Sequence, residues 1–233
     1  SEIIKHTFDS ITVVQEGKIR EAIRLFYKES GIRNLDEPYN GEIELLPFAY
    51  FHGCIDSVCA DQRTLSSLHV KLDILFDYGL FNAGNDSIDF DTLLSASTIF
   101  RLKNAPSDHV KLTVAELMIN KLIQYCYNLD QTNNIRLYCV IDEAHRLTYP
   151  GSPIDELFRE ARKYGIGVIL ASQRASDFNE VLLSNAGTVL TLKQNLAKDA
   201  RHIAKNKWGK EEILMNAQPG EGFIKFSTEK RAL

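Results

Sequence analysis

The chain of 233 residues has no G-x-x-x-x-G-K-[ST] anywhere, so it carries no glycine-rich loop of the kind that wraps nucleotide phosphates. Gly17-Lys18 comes nearest but is followed by Ile19, and it lacks the first glycine and the hydroxyl. Around it Val14, Ile19, Ala22, Ile23 and Phe26 recur as one helical face with Arg20, Glu21 and Lys28 outside, so the dipeptide reads as ordinary surface. Basic excess is also missing. Lys and Arg number 27 against 31 Asp and Glu, a formal net charge of −4, which excludes the global positive footprint of a stand-alone nucleic-acid module. The cysteines Cys54, Cys59, Cys126 and Cys139 lack close paired metal spacing. Cys139 falls in an expected core strand and Cys126 in a helix, so reduced thiols in a cytoplasmic protein are expected. No apolar stretch is long enough to span a membrane, and there is no signal-like start, internal repeat or low-complexity tract.

What is present is an apolar run, Leu137-Tyr138-Cys139-Val140-Ile141, that stops on Asp142-Glu143. A buried strand delivering two carboxylates at its C-terminal edge can hold Mg²⁺ and orient a water, although strands of parallel sheets also end in acids simply because they meet solvent there. Downstream, Ser152-Pro153-Ile154-Asp155 reads as a helix start, Ile154, Leu157, Phe158 and Ala161 as its buried face, and Gly165 as its stop. Gly167–Ser172 is then a second short strand, reached by a right-handed parallel crossover and ending in Ser172-Gln173-Arg174. Two neighbouring strands would thus bring polar groups to one crevice. His145 follows the carboxylates, but no other His or Cys stands near it with metal spacing, so it reads as a buttress of that loop.

Upstream the pattern is mostly helical. One amphipathic helix is expected over about 10–30, ended by Gly31 and a turn-rich linker at 34–41. Leu65, Leu68, Leu72, Leu75 and Phe76 mark another. After the turn Gly84-Asn85-Asp86, Ser97–Leu102 reads as a strand, and Thr113-Val114-Ala115-Glu116 as a capping box opening a helix through about Asn128. Past Gln173 come a loop at 175–179, a short helix, and strands at Thr188–Leu192 and Glu221–Phe226. Between those strands Lys193, Lys198, Arg201, His202, Lys205, Lys207 and Lys210 gather positive charge around Trp208. This is either a nucleic-acid surface, with Lys205, Lys207 and Lys210 on phosphates, or a solvated helix whose buried face is Leu196, Ala200, Ile203 and Ala204; the second reading is favoured.

Taken in order, Val140–His145, Arg159–Gly165, Leu170–Arg174 and Ser184–Thr188 resemble the C-terminal half of the HerA/FtsK superfamily of hexameric DNA-pumping ATPases, over about residues 135–227 and more loosely upstream. The resemblance implies an α/β fold: a partial RecA-like (ASCE) P-loop NTPase core with a mainly parallel sheet. Its implied organisation is a mainly helical subdomain over 1–95 and the C-terminal part of the ATPase core over 96–233. ATP and Mg²⁺ are the implied cofactors. Asp142 would hold Mg²⁺ through water, Glu143 would polarise the hydrolytic water, and Gln173 would sense the γ-phosphate. Arg162, or else Arg159, would act as an arginine finger across a subunit boundary, with His145 and Arg174 as supporting residues.

Implied partners are further copies of the chain in a hexameric ring and double-stranded DNA, without a membrane. The stretch Gln15–Tyr27 with Gly31 also looks like the HerA-like ATPases of phosphorothioation-dependent bacterial restriction, the DptH group, which would add restriction nuclease subunits as partners. The alternatives are a conjugation or type IV secretion ATPase, and a non-catalytic docking or oligomerisation module. Because the chain opens on Ser1 and lacks the phosphate loop, the resemblance implies a piece of a larger enzyme, inactive by itself.

Overall fold

The computed structural model describes residues 11–32, 43–77, 90–105, 107–149, 151–205 and 210–227, with 74–77 described by backbone alone. The chain divides into two compact units, Ser1–Leu117 and Met118–Leu233. Among the described residues no helix is long and apolar enough to cross a membrane.

The first unit is helical. Helix α1 (Val13–Glu29) starts at Thr12 with a capping box, in which the Thr12 hydroxyl accepts the Gln15 N–H and the Gln15 side chain accepts the Thr12 N–H. Ile19, Ala22 and Phe26 are buried as expected, but Val14 is exposed. Gln15 turns inward instead, donating to Ser67 Oγ at 2.9 Å and accepting from Lys71 Nζ at 2.9 Å. Lys18 pairs with Glu21 on the outer face. Helices α2 (Tyr50–Val58) and α3 (Gln62–Asp77) complete a core of Phe26, Phe51, Cys54, Ile55, Leu68 and Leu72. The linker at 34–41, the turn at Gly84-Asn85-Asp86 and the side chains of Leu75 and Phe76 lie outside the described residues.

Two expectations fail after the short helix α4 (Phe90–Leu94). Residues 97–102 form no strand, and Ile99 and Phe100 are exposed, so these β-favouring side chains have no partner strand among the described residues. Helix α5 (Asp108–Tyr127) begins five residues before the Thr113 capping box. Its start is marked by Ser107, whose hydroxyl accepts the Val110 N–H, while Thr113 sits inside the helix and donates back to His109 O.

The second unit carries the strands. Strand β1 (Thr132–Ile141) pairs in parallel with β2 (Tyr164–Leu170), in register from Leu137 opposite Ile166 to Ile141 opposite Leu170. The connection runs through α6 (Pro153–Glu160), with Pro153 in its first turn and Ile154 and Leu157 buried, and then a 3₁₀ turn at Ala161–Lys163 that holds Arg162. Gly165, left-handed directly after the Tyr164 cap of that turn, ends the helical stretch as expected and also lies in β2. At φ +74° it brings the chain so close to β1 that a Cβ would sit 2.2 Å from Asn134 O. Cys139 is only half-buried, and Tyr138 and Val140 are exposed, because among the described residues β1 has one strand neighbour rather than a covered central place.

Asn179 caps α7 (Glu180–Asn185) by accepting the Leu182 N–H. Strand β3 (Thr188–Leu192) and β4 (Gly222–Phe226) form a separate antiparallel pair, so the described sheet structure is one parallel and one antiparallel ribbon. Between them lie α8 (Ala197–Ile203) and α9 (Glu211–Asn216). Ala175, Leu183, Ala200, Ile203 and Leu214 make the core here. Leu196, expected in the buried face, is exposed, because it is the cap preceding α8 rather than part of it.

Candidate functional site

The register of the parallel pair fixes what happens at its carboxyl edge. Ile141 and Leu170 are opposite each other, so Asp142 and Ala171 leave the sheet side by side. Two more backbone bonds continue the ladder past the strands: Ala171 N–H donates to Ile141 O at 3.0 Å, and Ala144 N–H to Ala171 O at 2.8 Å. To make the second bond the chain must turn sharply at Glu143. That residue has φ 50° and ψ 41°, and it is the only non-glycine of positive φ among the described residues. A left-handed residue with a Cβ costs about 1–2 kcal/mol, and such strain is held only where neighbours over-determine it.

The turn aims the Glu143 carboxylate across the loops. One oxygen accepts the Gln173 amide at 2.7 Å, and the other lies 3.3 Å from His145 Nδ1. Asp142 is exposed, and one of its oxygens accepts the Glu143 N–H at 2.9 Å. The structure therefore brings together Asp142, Glu143, His145 and Gln173, although Glu143 and Gln173 stand 30 residues apart in sequence.

The loop carrying Gln173 is tied down from several sides. Ser172 Oγ donates to Asp177 Oδ2 at 2.6 Å, Thr148 Oγ1 to Asp177 O at 2.9 Å, and the Ser176 N–H to Asp199 Oδ1 at 2.9 Å. His202 Nε2 is 2.7 Å from Phe178 O. Burial of Asp199 by itself would raise its carboxyl, but the Ser176 hydrogen bonds, with Arg174 and Lys198 nearby, outweigh it and hold the group below the usual carboxylate range. Arg174 lies 3.9 Å from Asp177. Thr148, Asp177 and Asp199 were not singled out by sequence reasoning. The one available signal was Asp199 itself, a lone acid in the basic run from Lys198 to Arg201.

Other candidates are not drawn in. Arg159 folds onto its own helix, donating to Asp155 O at 3.2 Å, and Arg162 is exposed. Both precede β2, whose 7 residues separate them from the carboxyl edge. At ~3.3 Å per residue that is about 20 Å. In the basic stretch Lys205 pairs with Glu180 and Arg201 with Glu211, each at 3.0 Å. Lys210 is exposed, whereas Lys207 and Trp208 lie outside the described residues.

Chemically, the cluster fits one half of a nucleoside-triphosphate site. Mg²⁺ takes oxygen ligands and commonly one or two carboxylates plus waters, which Asp142 can meet. Glu143, oriented through both its oxygens, can polarise a water, and Gln173 has a second amide hydrogen to offer a phosphate oxygen. The phosphate-wrapping half calls for a glycine-rich loop that the sequence does not contain.

A family model described as the type IV secretion-system coupling protein DNA-binding domain matches residues 92–221. Among solved structures, the chain resembles VirB4 of Thermoanaerobacter pseudethanolicus with a TM-score of 0.73 at 21% identity, covering 99% of this chain and 66% of that one. It resembles the bacterial conjugative coupling protein TrwBdeltaN70 with a TM-score of 0.63 at 12% identity, covering 99% and 66%. Against the plasmid coupling protein TrwB in complex with ADP and Mg²⁺ the TM-score is 0.58 at 12% identity, covering 94% and 60%. The chain thus spans just under two-thirds of the length of these proteins, and at such identities the likeness is one of fold. No curated protein matches the sequence.

Proposed function

We propose a function from one premise: the chain belongs to the type IV secretion-system coupling protein DNA-binding domain family. That membership and the shared fold make it an α/β domain of the HerA/FtsK-type ATPase superfamily. On this basis the chain is part of a secretion or conjugation motor that couples ATP hydrolysis to movement of DNA or protein. The restriction reading, with its nuclease partners, finds no support among the relatives, and the conjugation alternative fits them better.

The observation that carries the proposal is the convergence of Asp142, Glu143 and Gln173 at one sheet edge, with the Gln173 amide 2.7 Å from the Glu143 carboxylate. In the assembled motor Mg²⁺ would supply charge neutralisation at the phosphates, held on this side by Asp142. Glu143 orients and polarises the attacking water. Gln173, whose amide donates to Glu143, would use its second amide hydrogen on a phosphate oxygen and so link the water to the presence of the nucleotide. The phosphates themselves are held by groups beyond these residues. Arg162, at the far edge of the sheet, serves a neighbouring copy in a ring, and DNA is the family's expected cargo or track.

The test uses the complete protein. Glu143→Gln is expected to keep Mg-ATP binding and lower turnover by ~10²–10⁴ or more. Unchanged steady-state turnover would remove Glu143 from the mechanism. Arg162→Ala subunits, inactive alone, should regain partial activity when mixed with Glu143→Gln subunits, since some interfaces then hold both intact groups. No recovery in co-assembled rings would place Arg162 outside the reaction.

A further inference from the structure

A second polar cluster lies in the helical unit, far in sequence from the strand ends. Helix α2 carries His52 and Asp56, and α3 carries His69 and Asp73, each a His followed four residues later by Asp. That spacing puts both members of a pair on one helix face. The pairs cross between the helices: Asp56 Oδ1 lies 2.7 Å from His69 Nε2, and Asp73 Oδ1 lies 3.1 Å from His52 Nε2. The two rings face each other at a centroid distance of 4.1 Å.

The arrangement of nitrogens decides what the cluster can do. The Asp56 carboxylate faces the outward nitrogen of both rings, His69 Nε2 at 2.7 Å and His52 Nδ1 at 3.9 Å. At 2.7 Å that carboxylate favours the tautomer with N–H on His69 Nε2, which leaves the lone pair on His69 Nδ1. His69 Nδ1 and His52 Nε2 are 2.8 Å apart and face Asp73 Oδ1 at 3.6 Å and 3.1 Å, so a proton on His52 Nε2 joins these acceptors, and a bound ion would replace it as that proton moves to the Asp56-facing Nδ1. Two imidazole nitrogens and one carboxylate oxygen thus form a triangle with edges of 2.8, 3.1 and 3.6 Å. Metal bonds of about 2.0–2.1 Å give ligand–ligand edges of about 2.8–3.0 Å in octahedral and about 3.3–3.4 Å in tetrahedral geometry, so the triangle needs shifts of only a few tenths of an ångström.

We propose that His52 Nε2, His69 Nδ1 and Asp73 are ligands for a divalent transition-metal ion of the zinc type, with Asp56 the outer carboxylate that orients the imidazoles. Two nitrogen donors of three select against Ca²⁺ and Mg²⁺. The side chains are partly open to solvent, from 21% for His69 to 52% for Asp56, which gives the ion a path in and leaves a position for water. Such an ion links α2 to α3 above the buried Cys54, Ile55, Leu68 and Leu72, and so stabilises the helical unit.

The test titrates the chelator-stripped full chain with zinc chloride in a calorimeter, and separately with cobalt(II) followed by visible absorption. One ion per chain is expected, with the cobalt spectrum of a nitrogen- and oxygen-ligated site. His52→Ala and Asp73→Asn should each remove binding, and Asp73→Asn, isosteric and partly exposed, keeps the fold intact by circular dichroism. Asp56→Asn should retain the stoichiometry while weakening affinity by about 10–100-fold. Absence of zinc binding by the unaltered chain would reduce the cluster to a hydrogen-bonded histidine pair and overturn the proposal. Undiminished binding in Asp73→Asn would overturn the ligand assignment.

Discussion

His52, Asp56, His69 and Asp73 stand on the faces of two helices, whereas Asp142, Glu143, His145 and Gln173 stand just past the ends of two parallel strands. Similar side chains, carboxylate and imidazole, are organised by different means. On the helices each pair is set by local backbone periodicity, and only the packing of α2 on α3 must be right. At the strand ends nothing is set locally: the meeting of Glu143 and Gln173 depends on the β1–β2 register, on the continued rungs at Ala171 and Ala144, and on a left-handed backbone at one residue. A helix-borne cluster should therefore tolerate distant perturbation, and a strand-end cluster should not.

The largest expected effect comes from attacking that register. Gly165→Ala places a Cβ 2.2 Å from Asn134 O and 2.8 Å from Thr132 Cγ2, at a residue of φ +74°. Strain and overpacking together should cost about 2–5 kcal/mol, read from the denaturant midpoint of the strand-bearing unit. Zinc titration at His52 and His69 should be untouched in the same protein. A variant as stable as the parent would show that the strand ends do not depend on this close approach.

A smaller effect is expected at the anchors of the Gln173 loop. Asp199→Asn keeps the shape but removes the charge that accepts the Ser176 N–H, and should destabilise by about 1–3 kcal/mol at neutral pH. The folded carboxyl titrates below its ordinary value, so its contribution is fully present above the unfolded pKa and is lost as pH falls through the folded one. The gap between parent and variant should therefore close in acid, and a pH-independent gap would contradict a role for the charge. The smallest effect has the opposite sign. Glu143→Gly relieves the positive φ of 50° and should raise stability by about 1 kcal/mol while removing the carboxylate. Destabilisation instead would mean that the bonds to Gln173 and His145 outweigh the strain.

The same contrast explains what could be read from sequence. The apolar run ending at Asp142, the second run ending near Gln173 and the Pro153 helix between them define a βαβ unit, and its parallel pairing forces both ends to one edge. Helix α1 was legible from Ile19, Ala22 and Phe26. Ile99 and Phe100 misled because strand propensity without a partner strand is only an average over places where partners exist. Thr113 and Glu116 misled because a capping box is short and also fits a helix interior when Ser107 has already started the helix. Asp199 and Asp177 were hidden because their role lies in contacts made across the fold. The His-x-x-x-Asp repeat was hidden for a different reason: it becomes visible only when histidine is paired with aspartate rather than with cysteine.

Gln173 is exposed, yet the backbone on which it rides is bound through Ser172, Ser176 and Phe178 to Asp177, Asp199 and His202. Most of the conformational entropy of that loop has therefore been surrendered during folding, before any ligand arrives. A ligand that meets the Gln173 amide has little further ordering to impose beyond one side-chain rotation, so more of its contact energy remains as affinity or as discrimination between one occupant and the next.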